Sequence, residues 1–162
     1  MDLRIAITDD LNSEREKLSS AIIAPFSKVG LNVGNIDEYT SGEELLRQFS
    51  AGRYDLIFLD IYMGGMSGVE TAKRIRTLDK NVMLVFVTTS NEFASESYAV
   101  KANFYLLKPV RAESIRQLAE TVAQQLKNTG CGGAPRRYGD TAVITCLYLV
   151  FRTLCKCISG RK

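Results

Sequence analysis

The sequence predicts an α/β fold: a doubly wound, five-stranded parallel sheet with helices on both of its faces. Two observations predict this class. Between Leu3 and Leu126, short apolar runs alternate with longer amphipathic segments, as strands and helices alternate in parallel sheets. Three of the longer segments also open with a serine that is followed three residues later by a glutamate, which is typical of a helix start.

The predicted strands are short apolar runs bounded by polar residues or glycine, a pattern that indicates burial on both faces. They are Leu3–Ile7, Val33–Tyr39, Leu56–Leu59, Val82–Val87 and Phe104–Leu107. Right-handed crossovers between such strands give either the flavodoxin-like strand order 2-1-3-4-5 or a Rossmann-like variant. In both cases ligands bind at the carboxyl ends of the strands, so that edge is where we expect the chemistry.

The helices are predicted from their starts and from apolar spacing. In a capping box the serine hydroxyl satisfies one free backbone N–H and the glutamate carboxylate satisfies another. The three matching pairs are Ser13 with Glu16, Ser41 with Glu44, and Ser67 with Glu70. The last helix, about Ala112 to Lys127, places apolar residues at spacings of three and four, which predicts one face packed on the sheet. These residues are Ile115, Leu118 and Val122.

Charge and cysteine content divide the chain into two unlike parts. The 162 residues are 46% hydrophobic and 24% charged, enough to bury one good core. The overall charge of +3 conceals a tail, residues 129–162, with six basic residues and one acidic residue, so residues 1–128 are acidic by two charges. All four cysteines also lie in that tail. We therefore predict a domain over residues 1–128 and a basic, cysteine-containing tail.

The absence of histidine narrows the possible chemistry. It excludes Ser/His/Asp triads, Cys/His nucleophile pairs and His-based metal sites. The first residues lack the basic and apolar regions of a signal peptide. The longest apolar run, Ala142 to Phe151, is far shorter than the roughly 20 residues that span a bilayer. We expect a cytoplasmic protein without a membrane partner.

Polar residues follow four of the predicted strands. They are Asp9 and Asp10 after the first strand, Asp60 at the end of the third, Thr88 after the fourth and Lys108 after the fifth. Three carboxylates at one edge would repel one another unless a cation lay among them, and Mg²⁺ is the usual partner of carboxylates where phosphate is handled. Phosphoryl transfer needs an oxygen nucleophile, a metal and further donors. Asp60 suits the nucleophile, Asp9 and Asp10 the metal, and Lys108 and Thr88 the donors.

On these residues, Met1 to about Asn128 resembles the CheY-like receiver domain of response regulators. The resemblance implies the strand order 2-1-3-4-5 and a phosphoacceptor at Asp60. It also implies Mg²⁺ bound by Asp9, Asp10, Asp60 and the backbone carbonyl of Tyr62. The phosphoryl group would be contacted by Thr88 and Lys108. Two switch residues, Thr88 and Tyr105, and a cis peptide between Lys108 and Pro109 are implied as well.

Phe86 to Val110 is similar to receivers that precede a LytTR-type DNA-binding domain. Two positions depart from the family pattern: Gly64 stands where proline is common, and Thr89 stands where a small residue is usual. We expect a looser loop beside Asp60 at the first position. At the second, a larger polar group is expected to alter access to the phosphoryl site and its lifetime.

The function implied by the resemblance is signalling without enzymatic turnover. The domain would accept a phosphoryl group from a separate sensor histidine kinase and control an output, transcription in the LytTR case. A homodimer through the face from the fourth strand to the fifth helix is a further implied partner, and DNA would be bound only with a complete effector domain. One alternative is a stand-alone or truncated receiver that acts as a phosphorylation-dependent interaction module. Another is a haloacid-dehalogenase-like phosphatase, which requires an aspartate where this chain has Tyr62.

The tail admits three interpretations. It is a basic amphiphilic segment for an anionic partner or membrane, a Cys-x-Cys metal or redox element at Cys155 and Cys157, or sequence never selected to fold. The third is favoured because codons allowed for Cys146 to Lys162, shifted by one base, can encode a peptide that resembles early LytTR strands. We therefore hypothesise a frameshifted remnant of a LytTR domain, which the nucleotide sequence would test.

Overall fold

The computed structural model describes residues 2–90 and 100–129, which contain five strands and four helices. The strands are β1 (Asp2–Thr8), β2 (Asn32–Tyr39), β3 (Leu56–Asp60), β4 (Met83–Thr88) and β5 (Phe104–Leu107). The helices are α1 (Asn12–Lys28), α2 (Gly42–Gln48), α3 (Gly68–Leu78) and α4 (Ala112–Thr129). The helix predicted between the fourth and fifth strands and the tail after residue 129 lie outside the described residues. Among the described helices, none is both long and apolar enough to cross a membrane.

The strands form one parallel sheet in the order β2-β1-β3-β4-β5, which confirms the predicted flavodoxin-like order. Each strand boundary lies within one residue of its predicted position. The register aligns the carboxyl ends of the strands. Thr8 pairs with Leu59 and Thr88 pairs with Leu107, so the residues that follow these strands emerge on one edge.

Each face of the sheet is covered by helices that bury an apolar cluster. On one face, α1 and α4 pack over alternate residues of the strands, and the predicted stripe of Ile115, Leu118 and Val122 is fully buried there. On the other face, α2 and α3 cover a second cluster that includes Leu45 and Ile75. The central strands β3 and β4 are buried along their whole length, as expected for a sheet covered on both sides.

Of the three predicted capping boxes, only that of Ser67 and Glu70 is complete. Ser41 accepts a hydrogen bond from the Glu44 N–H, but the Glu44 carboxylate binds the N–H and hydroxyl of Thr40 instead. The prediction at Ser13 was wrong, because α1 begins at Asn12 and its N-cap is Leu11, two residues before Ser13, which makes no side-chain cap.

The turn into α1 depends on an acidic residue rather than on a serine cap. Asp9 Oδ1 accepts a hydrogen bond from the Leu11 N–H at 2.9 Å, which closes the turn between β1 and the helix. With the turn fixed at this point, Ser13 lies inside the first turn of the helix. Glu16 instead accepts a hydrogen bond from the Asn12 side chain.

The start of α3 is seated directly on the end of β3. The Gly68 N–H donates to the Ile61 carbonyl at 3.1 Å. A Cβ atom at Gly68 would lie 2.1 Å from the carbonyl oxygen of Asp60, closer than any real contact. The absence of a side chain at this position therefore lets the helix approach the backbone of Asp60.

Replacement of Gly68 by alanine is expected to lower the free energy of unfolding by about 1–3 kcal/mol, because the helix has to move away from β3. Urea denaturation measures this change. Gly64→Ala is the matched control, since a Cβ at Gly64 meets nothing within 4 Å. Gly64→Ala should alter the free energy of unfolding by no more than about 1 kcal/mol. Equal effects of the two substitutions would contradict the proposed close contact.

Candidate functional site

Three carboxylates meet at the carboxyl edge of the sheet. One oxygen from each of Asp9, Asp10 and Asp60 lies within 4.8 Å of the others. Asp9 and Asp60 are only 5% and 6% exposed, whereas Asp10 faces solvent. The first two come together because Asp9 follows Thr8, which pairs with Leu59, the neighbour of Asp60. The sheet register thus assembles the predicted acidic cluster.

A partly buried lysine lies between two of these acids. Lys108 Nζ is 2.6 Å from Asp9 Oδ2 and 2.9 Å from Asp60 Oδ2. Its backbone N–H donates to the Thr88 carbonyl at 2.8 Å, which continues the pairing of β4 with β5 beyond Leu107. The bond from Lys108 to Pro109 is cis, as the resemblance implies. One cation therefore partly neutralises the pair of buried carboxylates.

The ionisation of the site reflects competition between burial and charge. Burial raises the pKa of Asp60 above its usual value, and the nearby Asp9 charge adds to this, while Lys108 offsets part of the rise. For Lys108, burial by itself would lower the pKa, but the hydrogen bonds to Asp9 and Asp60 raise it above the usual lysine value. Lys108 is consequently held as a cation, and Asp60 is a carboxylate whose charge is costly.

The other predicted site residues lie close by in the fold. Thr88 is completely buried and directly follows Val87, the register partner of Asp60. Tyr62 is exposed, and its N–H donates to Asp60 Oδ1 at 3.3 Å. Tyr105 is buried, with its ring edge-on to Phe86. Its hydroxyl donates to the carbonyl of Ser90.

Arg15 is a contributor that the sequence did not predict. Its guanidinium is almost completely buried and donates to the Asp9 carbonyl at 2.7 Å, so it holds the turn that carries two of the acids. Glu38 and Asn12 accept its remaining hydrogen bonds. The available sequence signal was its spacing of three from Leu18, which places Arg15 on the buried stripe of α1.

The donor set suits a hard divalent cation. Carboxylate and carbonyl oxygens are the ligands that such ions take, and the cluster offers one oxygen from each of three acids. Burial, and to a smaller degree the Asp9 charge, raise the pKa of Asp60 although Lys108 lowers it. An additional positive charge at this edge would relieve the remaining repulsion.

Comparison with known families places this site in context. The family model described as the response regulator receiver domain matches residues 5–120. The chain belongs to this family. It is therefore a receiver domain of two-component response regulators, and proteins of this kind are generally non-enzymatic signalling proteins.

Its relatives include regulators of the LytTR type. The sensory transduction protein LytR of Staphylococcus haemolyticus is 35% identical over 100 residues, which cover 62% of this chain and 38% of that protein. The chain spans less than half the length of the curated relatives that it matches, which include a LytT protein of Enterococcus faecalis. This homology confirms the similarity to LytTR-type receivers for the matched part of the chain.

Solved receiver structures have the same fold. The REC domain of AraT, a response regulator from Geobacillus stearothermophilus, is 27% identical with a TM-score of 0.66, and the match covers 80% of this chain and 98% of that one. TrrA of Thermotoga maritima, solved in complex with Mg²⁺-BeF, is 32% identical with a TM-score of 0.60. That match covers 74% of this chain and 98% of TrrA.

Asp60→Asn is expected to stabilise the metal-free protein by about 1 kcal/mol, because burial, together with the nearby Asp9 charge, disfavours the Asp60 carboxylate more than Lys108 favours it. Thermal unfolding in a chelator measures this effect. Added Mg²⁺ should then stabilise the wild type much more than the variant.

The control is Asp55→Asn, which removes a carboxylate that pairs with Arg4 at 3.0 Å, away from the cluster. This variant should keep the full response to Mg²⁺. An equal Mg²⁺ response in the wild type and in Asp60→Asn would show that Asp60 is not part of a metal site.

Proposed function

We propose that Asp60 accepts a phosphoryl group from a separate sensor histidine kinase and that the domain then changes conformation to control an output. The observation that carries this proposal is the position of Lys108 Nζ, which contacts Asp9 and Asp60 in a cluster of three carboxylates. An acceptor carboxylate is thereby placed beside a fixed cation and beside two potential metal ligands. Such an arrangement suits a group that carries several negative oxygens.

The proposed reaction is a direct transfer. An oxygen of Asp60 forms a bond to phosphorus while the bond between phosphorus and the imidazole nitrogen of the donor breaks, and the electron pair stays on that nitrogen. These 162 residues contain no histidine, so the donor imidazole has to come from outside them. The raised pKa of Asp60 is consistent with a carboxylate that is poorly solvated and therefore reactive as a nucleophile.

Mg²⁺ is the proposed cofactor, held by Asp9, Asp10, Asp60 and the backbone carbonyl of Tyr62. When bound, it would neutralise charge on the phosphoryl oxygens during transfer. The Mg²⁺-BeF complex of TrrA supports this choice, because that receiver shares the fold and 32% of its residues with this one. The oxygen-only donor set of this chain is consistent with the same ion.

Two residues are proposed to bind the transferred group. Lys108 would exchange its contact with Asp60 Oδ2 for a phosphoryl oxygen while it keeps Asp9. Thr88 would donate its hydroxyl to a second oxygen. Since the Lys108 N–H already donates to the Thr88 carbonyl, a shift of either residue would displace the other.

Thr88 and Tyr105 are the proposed switch. The Tyr105 hydroxyl binds the carbonyl of Ser90, two residues beyond Thr88, so displacement of this segment would weaken that hydrogen bond and free the ring to turn. The changed surface, between β4 and α4, would bind the output partner, either a second copy of the receiver or an effector. DNA binding belongs to this proposal only for a chain that also carries a complete effector domain.

Incubation with Mg²⁺ and acetyl phosphate should add one phosphoryl group, detected by intact mass. Asp60→Asn should abolish the gain because it removes the nucleophile, and a chelator should suppress it. Asp55→Asn is the control and should be modified at the wild-type rate. A phosphoryl group gained by Asp60→Asn would refute the assignment.

Thr88→Val should uncouple modification from the switch, because valine keeps the shape of threonine but cannot donate a hydrogen bond. Phosphorylation is expected to shift the NMR signals of the Ser90 and Leu106 amides in the wild type, and these shifts should shrink by at least about half in the variant. Thr77→Val, which removes an exposed hydroxyl that donates to the Arg74 carbonyl in α3, is the control. Shifts of full size in Thr88→Val would argue against the role of Thr88.

A further inference from the structure

The loop between β3 and α3, residues 61–67, carries the Tyr62 carbonyl but has little stiffness of its own. It contains Gly64 and Gly65, and Gly65 has a φ of +93°, in the left-handed region that favours glycine. Consecutive glycines leave a chain many alternative conformations. Contacts from outside the loop therefore have to restrict its conformation.

Both ends of this loop are fixed close to the end of β3. At the start, the Tyr62 N–H donates to Asp60 Oδ1 at 3.3 Å. At the end, the Gly68 N–H donates to the Ile61 carbonyl. These hydrogen bonds do not reach the glycine pair in the middle.

The middle of the loop is held by Glu43 of α2. Glu43 Oε1 accepts a hydrogen bond from the Met66 N–H at 2.8 Å. The same oxygen lies 3.0 Å from the position that a Cβ of Gly65 would occupy, so the carboxylate fits closely against the glycine backbone. Hydrogen bonds from its own N–H and from the Met66 N–H hold the pKa of Glu43 below its usual value.

The helix that carries Glu43 is itself firmly seated. A Cβ at Gly42 would lie 1.9 Å from the hydroxyl oxygen of Thr71, so the first turn of α2 packs tightly against α3. The Thr71 hydroxyl in turn donates to the Ser67 carbonyl at the end of the same loop. Glu43 thus reaches the loop from a helix whose position relative to Asp60 is fixed.

We propose that Glu43 is a positioning residue for the acceptor site: its bond to Met66 holds the loop in the conformation that presents the Tyr62 carbonyl to Mg²⁺. The inference rests on the proposed function, because it assigns that carbonyl to the metal. It also explains how a loop with two adjacent glycines stays ordered beside the acceptor. Loss of the bond would weaken Mg²⁺ binding without removal of any metal ligand.

Two substitutions separate positioning from a general effect of charge or helix capping. Glu43→Asp keeps the charge, but its shorter side chain withdraws the oxygen from Met66. Glu43→Gln loses the charge but keeps an oxygen at the same reach. If Glu43 positions the loop, Met66 amide exchange and Mg²⁺ affinity should be close to wild type in Glu43→Gln and altered in Glu43→Asp. A charge or capping role predicts the reverse order.

The first measurement is amide hydrogen exchange of Met66 in the metal-free, unphosphorylated full chain. Glu43→Asp and Glu43→Ala should accelerate exchange by about 10-fold or more, and Glu43→Gln by less than about 3-fold, as expected when a hydrogen bond to a carboxylate is lost or replaced. Glu44→Ala is the matched control. It removes a carboxylate from the same helical turn. This carboxylate accepts hydrogen bonds from Thr40, whereas the Met66 N–H donates to Glu43.

The second measurement is Mg²⁺ affinity by calorimetry at about 0.15 M salt, where charge effects over long distances are screened. The dissociation constant should rise roughly 3–10-fold in Glu43→Asp, stay within about 2-fold in Glu43→Gln, and remain unchanged in Glu44→Ala. Weaker binding in Glu43→Gln than in Glu43→Asp would overturn the proposal. Equal weakening by Glu44→Ala, or faster Met66 exchange with unaltered affinity, would overturn it as well.

Neither measurement uses phosphorylation, so the two proposals fail separately. If Asp60 gains no phosphoryl group while the Glu43 variants follow the expected order, the acceptor assignment fails and the metal-positioning role stands. If Asp60 is modified normally and the order is not observed, only the role of Glu43 is refuted.

Discussion

The acidic edge of the sheet imposes the main physical constraint on this domain. The parallel register brings Asp9 and Asp60 together, and Asp10 completes a cluster whose oxygens lie within 4.8 Å of one another. Repulsion between such charges destabilises the fold unless it is compensated. Lys108, which directly follows the edge strand β5, supplies part of the compensation. The ion pairs of Lys108 thus join the end of β5 to the ends of β1 and β3. Apolar packing alone would not impose this constraint.

Fixed backbone contacts surround this cluster. Arg15 holds the carbonyl of Asp9, and Gly68 lets α3 approach the carbonyl of Asp60. Thr88 and Lys108 are joined through a main-chain hydrogen bond. The side chains are therefore free to exchange partners when a new negative group arrives, while the backbone around them has little freedom. A site that must bind and release a charged group benefits from this separation of roles.

Much of the fold was predictable because it depends on patterns that are local in sequence. Strands buried on both faces appear as continuous apolar runs, and their bounds agreed within one residue. The strand order and the cis peptide at Lys108 followed from the family resemblance, and the acidic cluster from the rule that parallel strands present their ends at one edge. The cap predicted at Ser13 failed because Asp9, outside the helix, closes the turn first. A rule based on local residue preferences does not account for such competition between hydrogen-bond acceptors.

The contacts that sequence could not predict are those between side chains and distant backbone. Nothing in the spacing of Glu43 indicates Met66, because an acid in the first turn of a helix already has a local explanation. Arg15 lies on the buried stripe of α1, but its charge gives no indication of which backbone group it binds. In both cases the partner is a main-chain group, which every residue possesses and which therefore leaves no trace in composition.

The attachment of the loop between β3 and α3 at both ends also bears on how this receiver can diverge. Tyr62 is tied to Asp60 at one end and Gly68 to Ile61 at the other, so an inserted or deleted residue would displace the start of α3 from the strand. Exchanges of residue type at position 64, where a Cβ meets nothing within 4 Å, leave those attachments in place. Evolution can therefore vary this loop in composition far more easily than in length, and its departures from related receivers should accumulate as substitutions rather than as gaps.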